Sequence, residues 1–241
     1  MSSDVFAFKQ FKIKQDKCAM KVGTDAVLLG AWTNCGDAKK ILDVGTGTGV
    51  LALMLAQKSA AQIWAIDIDK DSCMEAEENA NNCLWKDRLH VLNISMQEFT
   101  KVNSNDFDVI ISNPPYFTDA YKAKELARNT ARHTDELPFN QLIECVVKLL
   151  HEDGHFFSIL PFSEAQQFIS IASKNNLHLI RSTRVKTKPD KEPKRLLMMY
   201  AKKPQTHQED ELIIELDERH HYTKEYIQLT KDYYLDIDKK N

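Results

Sequence analysis

The chain has 241 residues, of which 43% are hydrophobic and 28% charged, and its net charge is −3 at pH 7. That length fits one domain with one substantial core. No apolar run reaches the length of a membrane span, and the first residues lack the pattern of a secretory leader, so we expect neither a membrane protein nor an exported one. The five cysteines and eight histidines lack metal-site spacing. We therefore expect a cytoplasmic monomer without disulfides or a metal.

Predicted strands and helices alternate along the chain. The strands fall near 40–44, 62–67, 89–93, 107–112, 155–160, 177–185 and 195–202, and the helices near 49–58, 70–82, 138–151, 163–175 and 223–233. Strands separated by helices predict βαβ units and a mostly parallel sheet. The last two strands are joined by the short loop 186–194, which favours an antiparallel hairpin. The predicted fold is α/β, a doubly wound, mostly parallel seven-stranded sheet with a terminal antiparallel hairpin.

A glycine-rich turn follows the strand near 40–44. Asp43 precedes Gly45, Gly47 and Gly49, and an apolar helical run comes next. A strand, a glycine turn and a helix together bring backbone N–H groups and a helix N-terminus to a ligand. A dinucleotide fingerprint needs glycine at position 50, where this chain has Val50. The spacing resembles the S-adenosylmethionine loop of class I methyltransferases.

A carboxylate ends the next predicted strand. Asp67 closes the β-type run 62–66, at the position where an acid accepts hydrogen bonds from both ribose hydroxyls of a nucleotide-like ligand. We expect Asp69 to be the N-cap of the following helix. A capping role for Asp67 is the alternative, and the spacing favours the ribose.

The most informative motif is Asn113-Pro114-Pro115-Tyr116, which follows the apolar run 107–111. Two prolines fix two φ angles and remove two backbone donors, so carbonyls, the Asn113 amide and the Tyr116 ring remain for a ligand. Such an acceptor-rich, rigid, aromatic pocket suits a planar molecule with an exocyclic NH2, such as a nucleobase. Alone, the motif fits an ordinary strand-ending turn about as well. The glycine loop upstream favours the binding site.

Charge is distributed unevenly. The stretch 181–203 carries nine Lys and Arg against two acids, whereas 206–218 carries six acids and no Lys or Arg. A dense basic stretch predicts contacts with RNA phosphates, here through Lys191, Lys194 and Arg195, although a solvated hairpin is the alternative. The polar loop 117–136 follows the Asn-Pro-Pro-Tyr motif, and we interpret it as a substrate lid with Arg128 and Arg132 as phosphate contacts. An ordinary surface loop is the alternative there.

Further segments carry a closer resemblance. They are 8–11 (Phe-Lys-Gln-Phe), 18–32 (from Cys-Ala-Met-Lys-Val-Gly-Thr-Asp to Gly-Ala-Trp), 131–134 (Ala-Arg-His-Thr), 222–226 and 233–235. With the two motifs they resemble the bacterial tRNA1(Val) adenine-37 N6-methyltransferase family over essentially the whole chain. The resemblance implies a Rossmann-like class I fold and methylation, from S-adenosylmethionine, of the adenine 3′ of a valine tRNA anticodon. The expected partner is therefore a tRNA anticodon loop.

The resemblance also implies roles for individual residues. The expected cofactor contacts are Lys21, Thr24, Asp25, Asp43, Gly45, Gly47, Gly49, Asp67, Ser95 and Asn113, and the expected catalytic motif is Asn113, Pro114, Pro115 and Tyr116. Where relatives usually carry an Asp for the cofactor adenine, this chain has Ser95, a neutral partner. We expect one methyltransferase domain over 1–241, with a cofactor-covering segment 1–36, a catalytic core 37–203 and a packed tail 204–241.

Three other functions stay open at this point. The catalytic motif does not separate adenine N6 from guanine N2, so an N2-guanine rRNA methyltransferase is possible. A protein glutamine-N5 methyltransferase would present a similar planar NH2, but only about forty residues precede the first core strand, too few for the helical domain usual in those enzymes. A non-catalytic RNA-binding module would first lose Gly45, Gly47, Asp67 or Asn113, and all four are intact.

Overall fold

The structure, a computed structural model, describes residues 4–18, 20–104, 106–115 and 138–237. The strands are β1 Val5–Ala7, β2 Lys12–Lys14, β3 Lys40–Val44, β4 Gln62–Asp67, β5 Leu89–Asn93, β6 Phe107–Ser112, β7 Leu150–Pro161, β8 His178–Lys186, β9 Arg195–Ala201 and β10 Gln208–Ile213. The α-helices are α1 Thr24–Trp32, α2 Val50–Lys58, α3 Lys70–Asn81, α4 Met96–Val102, α5 Phe139–Leu149, α6 Phe162–Lys174 and α7 Lys224–Thr230. Tyr116, Arg128 and Arg132, with the loop 117–136, lie outside the described residues.

Eight strands form the main sheet, in the order β10–β8–β9–β7–β6–β3–β4–β5. Neighbours are parallel except where β9 meets β7 and β8. The chain builds the sheet outward from β3, first through β4 and β5 and then on the other side through β6 and β7. Ligands of such sheets bind at the carboxyl ends of the strands where the strand order reverses, which here is the edge at β3 and β6.

Helices cover both faces of this sheet. Successive side chains of a strand point to opposite faces. Ile41 and Ile111 pack into the cluster that contains α1 and α2, whereas Leu42 and Ile110 pack into the one that contains α5 and α6. All four side chains are fully buried. Such continuous apolar patterning is typical of a parallel sheet that helices cover on both faces.

The predicted fold class is confirmed, with its antiparallel β8–β9 hairpin. The predicted count of seven strands is wrong, because β10 adds an eighth strand parallel to β8 at the outer edge. Three acidic side chains of β10 stabilise this pairing by neutralising basic side chains of β8. The ion pairs are Arg181–Asp210 at 2.9 Å, Arg184–Glu209 at 3.4 Å and Lys186–Glu211 at 3.0 Å.

The predicted series lacked three further elements. Two are the helices α1 and α4, and the third is the antiparallel hairpin of β1 and β2. The hairpin is joined to the C-terminal tail, since the Lys9 backbone N–H donates to the Tyr233 carbonyl at 2.9 Å. Tyr226 of α7 and Tyr233 are both buried against the core, each with 4% of its surface exposed. The two ends of the described chain therefore pack together on one face.

Among the described helices, none combines the length and apolar character needed to cross a membrane. Within the same residues, no three or more His, Cys, Asp or Glu side chains gather as a metal site. All five cysteines are free thiols.

Candidate active site

The glycine loop turns sharply between β3 and α2. Gly45, Gly47 and Gly49 have φ values of 71°, 53° and 82°, a left-handed region that glycine adopts without strain. The backbone N–H groups of Gly45 and Thr46 donate to the Ile66 carbonyl at 2.9 and 3.0 Å, which fixes the loop to β4. A Cβ added to Gly45 would meet no atom within 4 Å. The loop therefore offers open backbone at Gly45, at the carboxyl edge of the sheet.

Asp43 stabilises this loop from inside. Its Oδ2 accepts hydrogen bonds from the Thr46 hydroxyl at 2.6 Å and from the Ala52 backbone N–H at 3.2 Å. The side chain is fully buried, and this burial raises the pKa of the Asp43 carboxyl to about 7. Its second oxygen, Oδ1, is buried without a hydrogen-bond partner in the described structure. An unsatisfied buried carboxylate oxygen is a strong acceptor that favours a cationic or N–H donor.

Asp67 lies at the end of β4, beside the glycine loop. Its two carboxylate oxygens accept hydrogen bonds from the Gly47 and Asp69 backbone N–H groups, both at 2.9 Å. Burial raises the pKa of Asp67, and these hydrogen bonds partly oppose that rise. Asp69 caps α3 by accepting from the Ser72 N–H at 2.7 Å, which confirms its predicted role.

Asn113 begins the segment that follows β6. The last β6 residue, Ser112, is the register partner of Val44 in β3, and its hydroxyl donates to the Val44 carbonyl at 2.9 Å. Asn113 and Gly45 are therefore the next residues along two adjacent strand ends. Pro114 is buried, while Asn113 and Pro115 are half-buried. The two predicted motifs thus meet at one edge of the sheet.

The segment before α1 reaches the same edge. Thr24 and Asp25 open α1, and Asp25 accepts a 2.7 Å charged hydrogen bond from the Nε of Arg195 at the start of β9. Arg195 is the register partner of Pro161 at the carboxyl end of β7. Lys21 forms a 3.5 Å ion pair with Asp4. A predicted cofactor contact, Asp25, and a predicted RNA contact, Arg195, are therefore ion-paired with each other.

Ser95 has a structural role beside its predicted cofactor contact. It is the N-cap of α4, where its hydroxyl oxygen accepts from the Glu98 backbone N–H at 3.2 Å. The same hydroxyl donates to the Glu98 carboxylate at 3.1 Å. These local bonds stabilise the start of α4. The adenine contact of Ser95 stays a prediction.

The loop between β8 and β9 carries the remaining predicted RNA contacts. The Lys194 backbone N–H donates to the Val185 carbonyl at 2.8 Å, which closes the hairpin at the edge where Asn113 lies. Lys191 is exposed and forms a 3.0 Å ion pair with its neighbour Asp190. Basic side chains thus flank the edge where Asn113 lies on the β9 side.

The fold and the site define a class I methyltransferase. The sheet is doubly wound and has an antiparallel strand, β9. A Gly-x-Gly-x-Gly turn follows β3, and Asn-Pro-Pro follows the adjacent strand β6. Solved structures agree on the fold. The chain superposes on a predicted O-methyltransferase from Agrobacterium tumefaciens with a TM-score of 0.69 at 17% identity, covering 87% of this chain and 96% of that one. Pyrococcus horikoshii TYW2 in complex with MeSAdo gives 0.59 at 15% identity, covering 83% and 72%.

Sequence comparisons give the family. The Methyltransferase small domain family matches residues 19–157. The tRNA1(Val) (adenine(37)-N6)-methyltransferase of Flavobacterium psychrophilum is 46% identical over 96% of this chain and 99% of its own length. The protein of that name from Phocaeicola vulgatus is also 46% identical, over 98% of this chain and 100% of its own. The chain belongs to the tRNA1(Val) (adenine(37)-N6)-methyltransferase family, and the predicted resemblance is confirmed.

Proposed function

We propose that this protein transfers a methyl group from S-adenosylmethionine to the exocyclic N6 of an adenine in tRNA, the adenine 3′ of the anticodon of tRNA1(Val). The observation that carries the proposal is the juxtaposition of Asn113 and Gly45 at adjacent strand ends. One edge of the sheet thus offers a loop suited to the donor and acceptors suited to the base. A cytoplasmic monomer remains the expected form.

The residues present fit S-adenosylmethionine. The open backbone at Gly45 leaves room for close approach, and Asp67, at the end of β4, would accept hydrogen bonds from the ribose hydroxyls. The unpartnered Oδ1 of Asp43 suits the positive charge of this cofactor. When bound, the cofactor supplies a methyl group already activated by its sulfonium. Lys21, Thr24, Asp25, Gly47, Gly49 and Ser95 are the other proposed contacts.

Asn113 and Pro114 would hold the nitrogen that receives the methyl group. An aromatic amine is a poor nucleophile because its lone pair is delocalised into the ring. The Asn113 side-chain oxygen and the Pro114 carbonyl would accept its two N–H hydrogens, which favours a pyramidal nitrogen with its lone pair free for in-line attack. The same oxygens would stabilise positive charge as it develops on the nitrogen. The proton then leaves to water, so no buried base is needed.

The base must leave its stack to reach this edge, as it can in a single-stranded anticodon loop. Pro115 would restrict the loop, and Tyr116, outside the described residues, is proposed to stack on the base. Lys191 and Lys194 are proposed to contact phosphates because their loop lies at the same edge. Arg128, Arg132 and Arg195 complete the proposed set.

The charges of β8 are the weaker candidates for RNA binding. Arg181, Arg184 and Lys186 belong to the basic stretch, but each forms an ion pair with an acid of β10. A phosphate would have to compete with those carboxylates. Lys191 and Arg195 are ion-paired as well. What favours the loop between β8 and β9 is its position at the sheet edge that holds both motifs. We therefore propose that this loop, rather than β8 itself, provides the phosphate contacts.

Methyl transfer from labelled S-adenosylmethionine to total tRNA of a strain lacking this protein tests the proposal. Nucleoside analysis should find the label in N6-methyladenosine. Label in N2-methylguanosine would mean that the mechanism is retained and that the methylated base is guanine. Label only in rRNA, or only in protein glutamine, would replace the tRNA substrate by one of the two alternative classes.

A further inference from the structure

Helix α3 buries two polar side chains toward the N-terminal segment. Glu75 is fully buried, and Asn79 has 2% of its surface exposed. Neither residue lies in the glycine loop or in the Asn-Pro-Pro motif. A buried carboxylate is costly unless it is fully hydrogen-bonded. The partners of Glu75 therefore indicate what it does.

All the partners found for Glu75 are backbone N–H groups of the segment 14–18, which we call the strap. Its Oε1 accepts from Asp16 at 2.7 Å and from Lys17 at 2.8 Å, and its Oε2 accepts from Cys18 at 2.9 Å. Three consecutive donors converge on one carboxylate. Charge-assisted bonds of this kind are about twice as strong as neutral ones. The carboxylate thus sets the backbone conformation of the strap.

Asn79 connects the strap to the glycine loop. Its Oδ1 accepts from the Lys14 N–H at 2.8 Å, while its Nδ2 donates to the Lys14 carbonyl at 3.0 Å and to the Thr48 carbonyl at 2.9 Å. The strap also packs on the loop directly, since the Cys18 Sγ lies 3.6 Å from where a Cβ of Gly47 would be.

The strap is in turn connected to the segment before α1. Gln15 is buried, and its Oε1 accepts from the Val22 backbone N–H at 2.9 Å. This bond holds Val22 against the strap. Val22 directly follows Lys21 and lies two residues before Thr24, which Asp25 follows. The position of these proposed cofactor contacts therefore depends on where the strap is held.

We infer that Glu75 is a positioning residue for cofactor binding, which holds the strap against α3 so that the glycine loop and the segment before α1 enclose one site. The inference rests on the proposed function. Glu75 acts through the strap and touches neither the donor nor the base. It contributes to the affinity for the cofactor and leaves the chemical step to Asn113.

Glu75→Gln tests this with little change in volume. The variant replaces one accepting oxygen with an NH2 group, which faces N–H donors of the strap and accepts nothing from them. We expect the Kd for S-adenosylmethionine, measured by calorimetry, to rise about tenfold, equivalent to about 1.4 kcal/mol. The KM for S-adenosylmethionine should rise equally, with kcat at saturation within about twofold of wild type. Hydrogen exchange of the amides of residues 16–18 should accelerate.

Two controls separate positioning from general destabilisation. Glu77→Gln makes the same change at an exposed site on the same helix and should leave the Kd and KM unchanged. Val146→Ala removes two buried methyl groups from the core on the other face of the sheet. It should lower the melting temperature without changing the Kd or the exchange of the strap amides.

An unchanged Kd in Glu75→Gln would overturn the inference, as would an equal rise in Val146→Ala at a similar loss of melting temperature. In both cases the wild type still binds S-adenosylmethionine and methylates tRNA, so the proposed function would stand. Failure of the wild type to bind S-adenosylmethionine would overturn the proposed function, and this inference with it.

Discussion

Replacing Gly45 with alanine tests whether the glycine loop binds the cofactor. The effect on cofactor binding can be compared with the backbone strain that the alanine introduces. Gly45 has a φ of 71°, and a Cβ added there meets no protein atom within 4 Å. The variant therefore has only one cost in the free protein, the left-handed conformation of an alanine. That cost is about 1–2 kcal/mol. For a chain of this length it lowers the melting temperature by about 2–8 °C.

The cost to the cofactor complex should be larger, because the new methyl group occupies space that the proposal assigns to the cofactor. Overpacking by one methyl group typically costs about 1–3 kcal/mol. The Kd for S-adenosylmethionine, measured by calorimetry, should therefore rise by about fivefold to 150-fold.

Gly36→Ala is the matched control. Gly36 is also exposed, has a φ of 48° and would place its Cβ in open space, but it lies in the turn before β3, away from the carboxyl edge. It should lower the melting temperature about as much as Gly45→Ala while leaving the Kd unchanged. Equal Kd values for the two variants would refute the assignment of the glycine loop to the cofactor.

The other predictions concern the base, the RNA and pH. Asn113→Ala should abolish turnover in the labelled-methyl assay while the Kd for S-adenosylmethionine stays within about fivefold, because this side chain acts on the amine of the base; equal loss of both would make Asn113 structural. Reversing Lys191 and Lys194 to Glu should reduce the slope of log K for tRNA against log salt by about 1–2, whereas Lys148→Glu at the opposite edge should not change it. The raised pKa of Asp43 means that the unfolded state releases this proton near pH 4 and the folded state near pH 7. The contribution of Asp43 to the free energy of unfolding therefore falls across that interval and is constant above it. Asp43→Asn should remove up to about 4 kcal/mol of this fall in pH-dependent melting, and an identical profile in the variant would contradict the raised pKa.

Much of the site could be predicted because its signals are local. Gly45, Gly47 and Gly49 follow an apolar strand and precede an apolar helix, and that order alone predicts a turn that approaches a ligand. The strand before Asn113 is equally clear. Both motifs then fall at one edge, since parallel neighbours place their carboxyl ends together.

The elements that could not be predicted depend on contacts between distant parts of the chain. β10 is acidic and lacks apolar alternation, so only its pairing with the basic β8 makes it a strand. Glu75 looks like any other acid of the run 75–78 on α3 in the sequence. Its burial appears only when the strap, some sixty residues upstream, places three N–H donors around it.

The most direct test of the central claim is to locate the methyl group on tRNA1(Val). The tRNA is purified from a strain that lacks this protein, methylated with the purified enzyme and S-adenosylmethionine, digested with a base-specific ribonuclease and analysed by mass spectrometry. The account predicts one added methyl group, on the anticodon-loop fragment and at N6 of adenine 37. A methyl group on another fragment, or on a guanine, would contradict it.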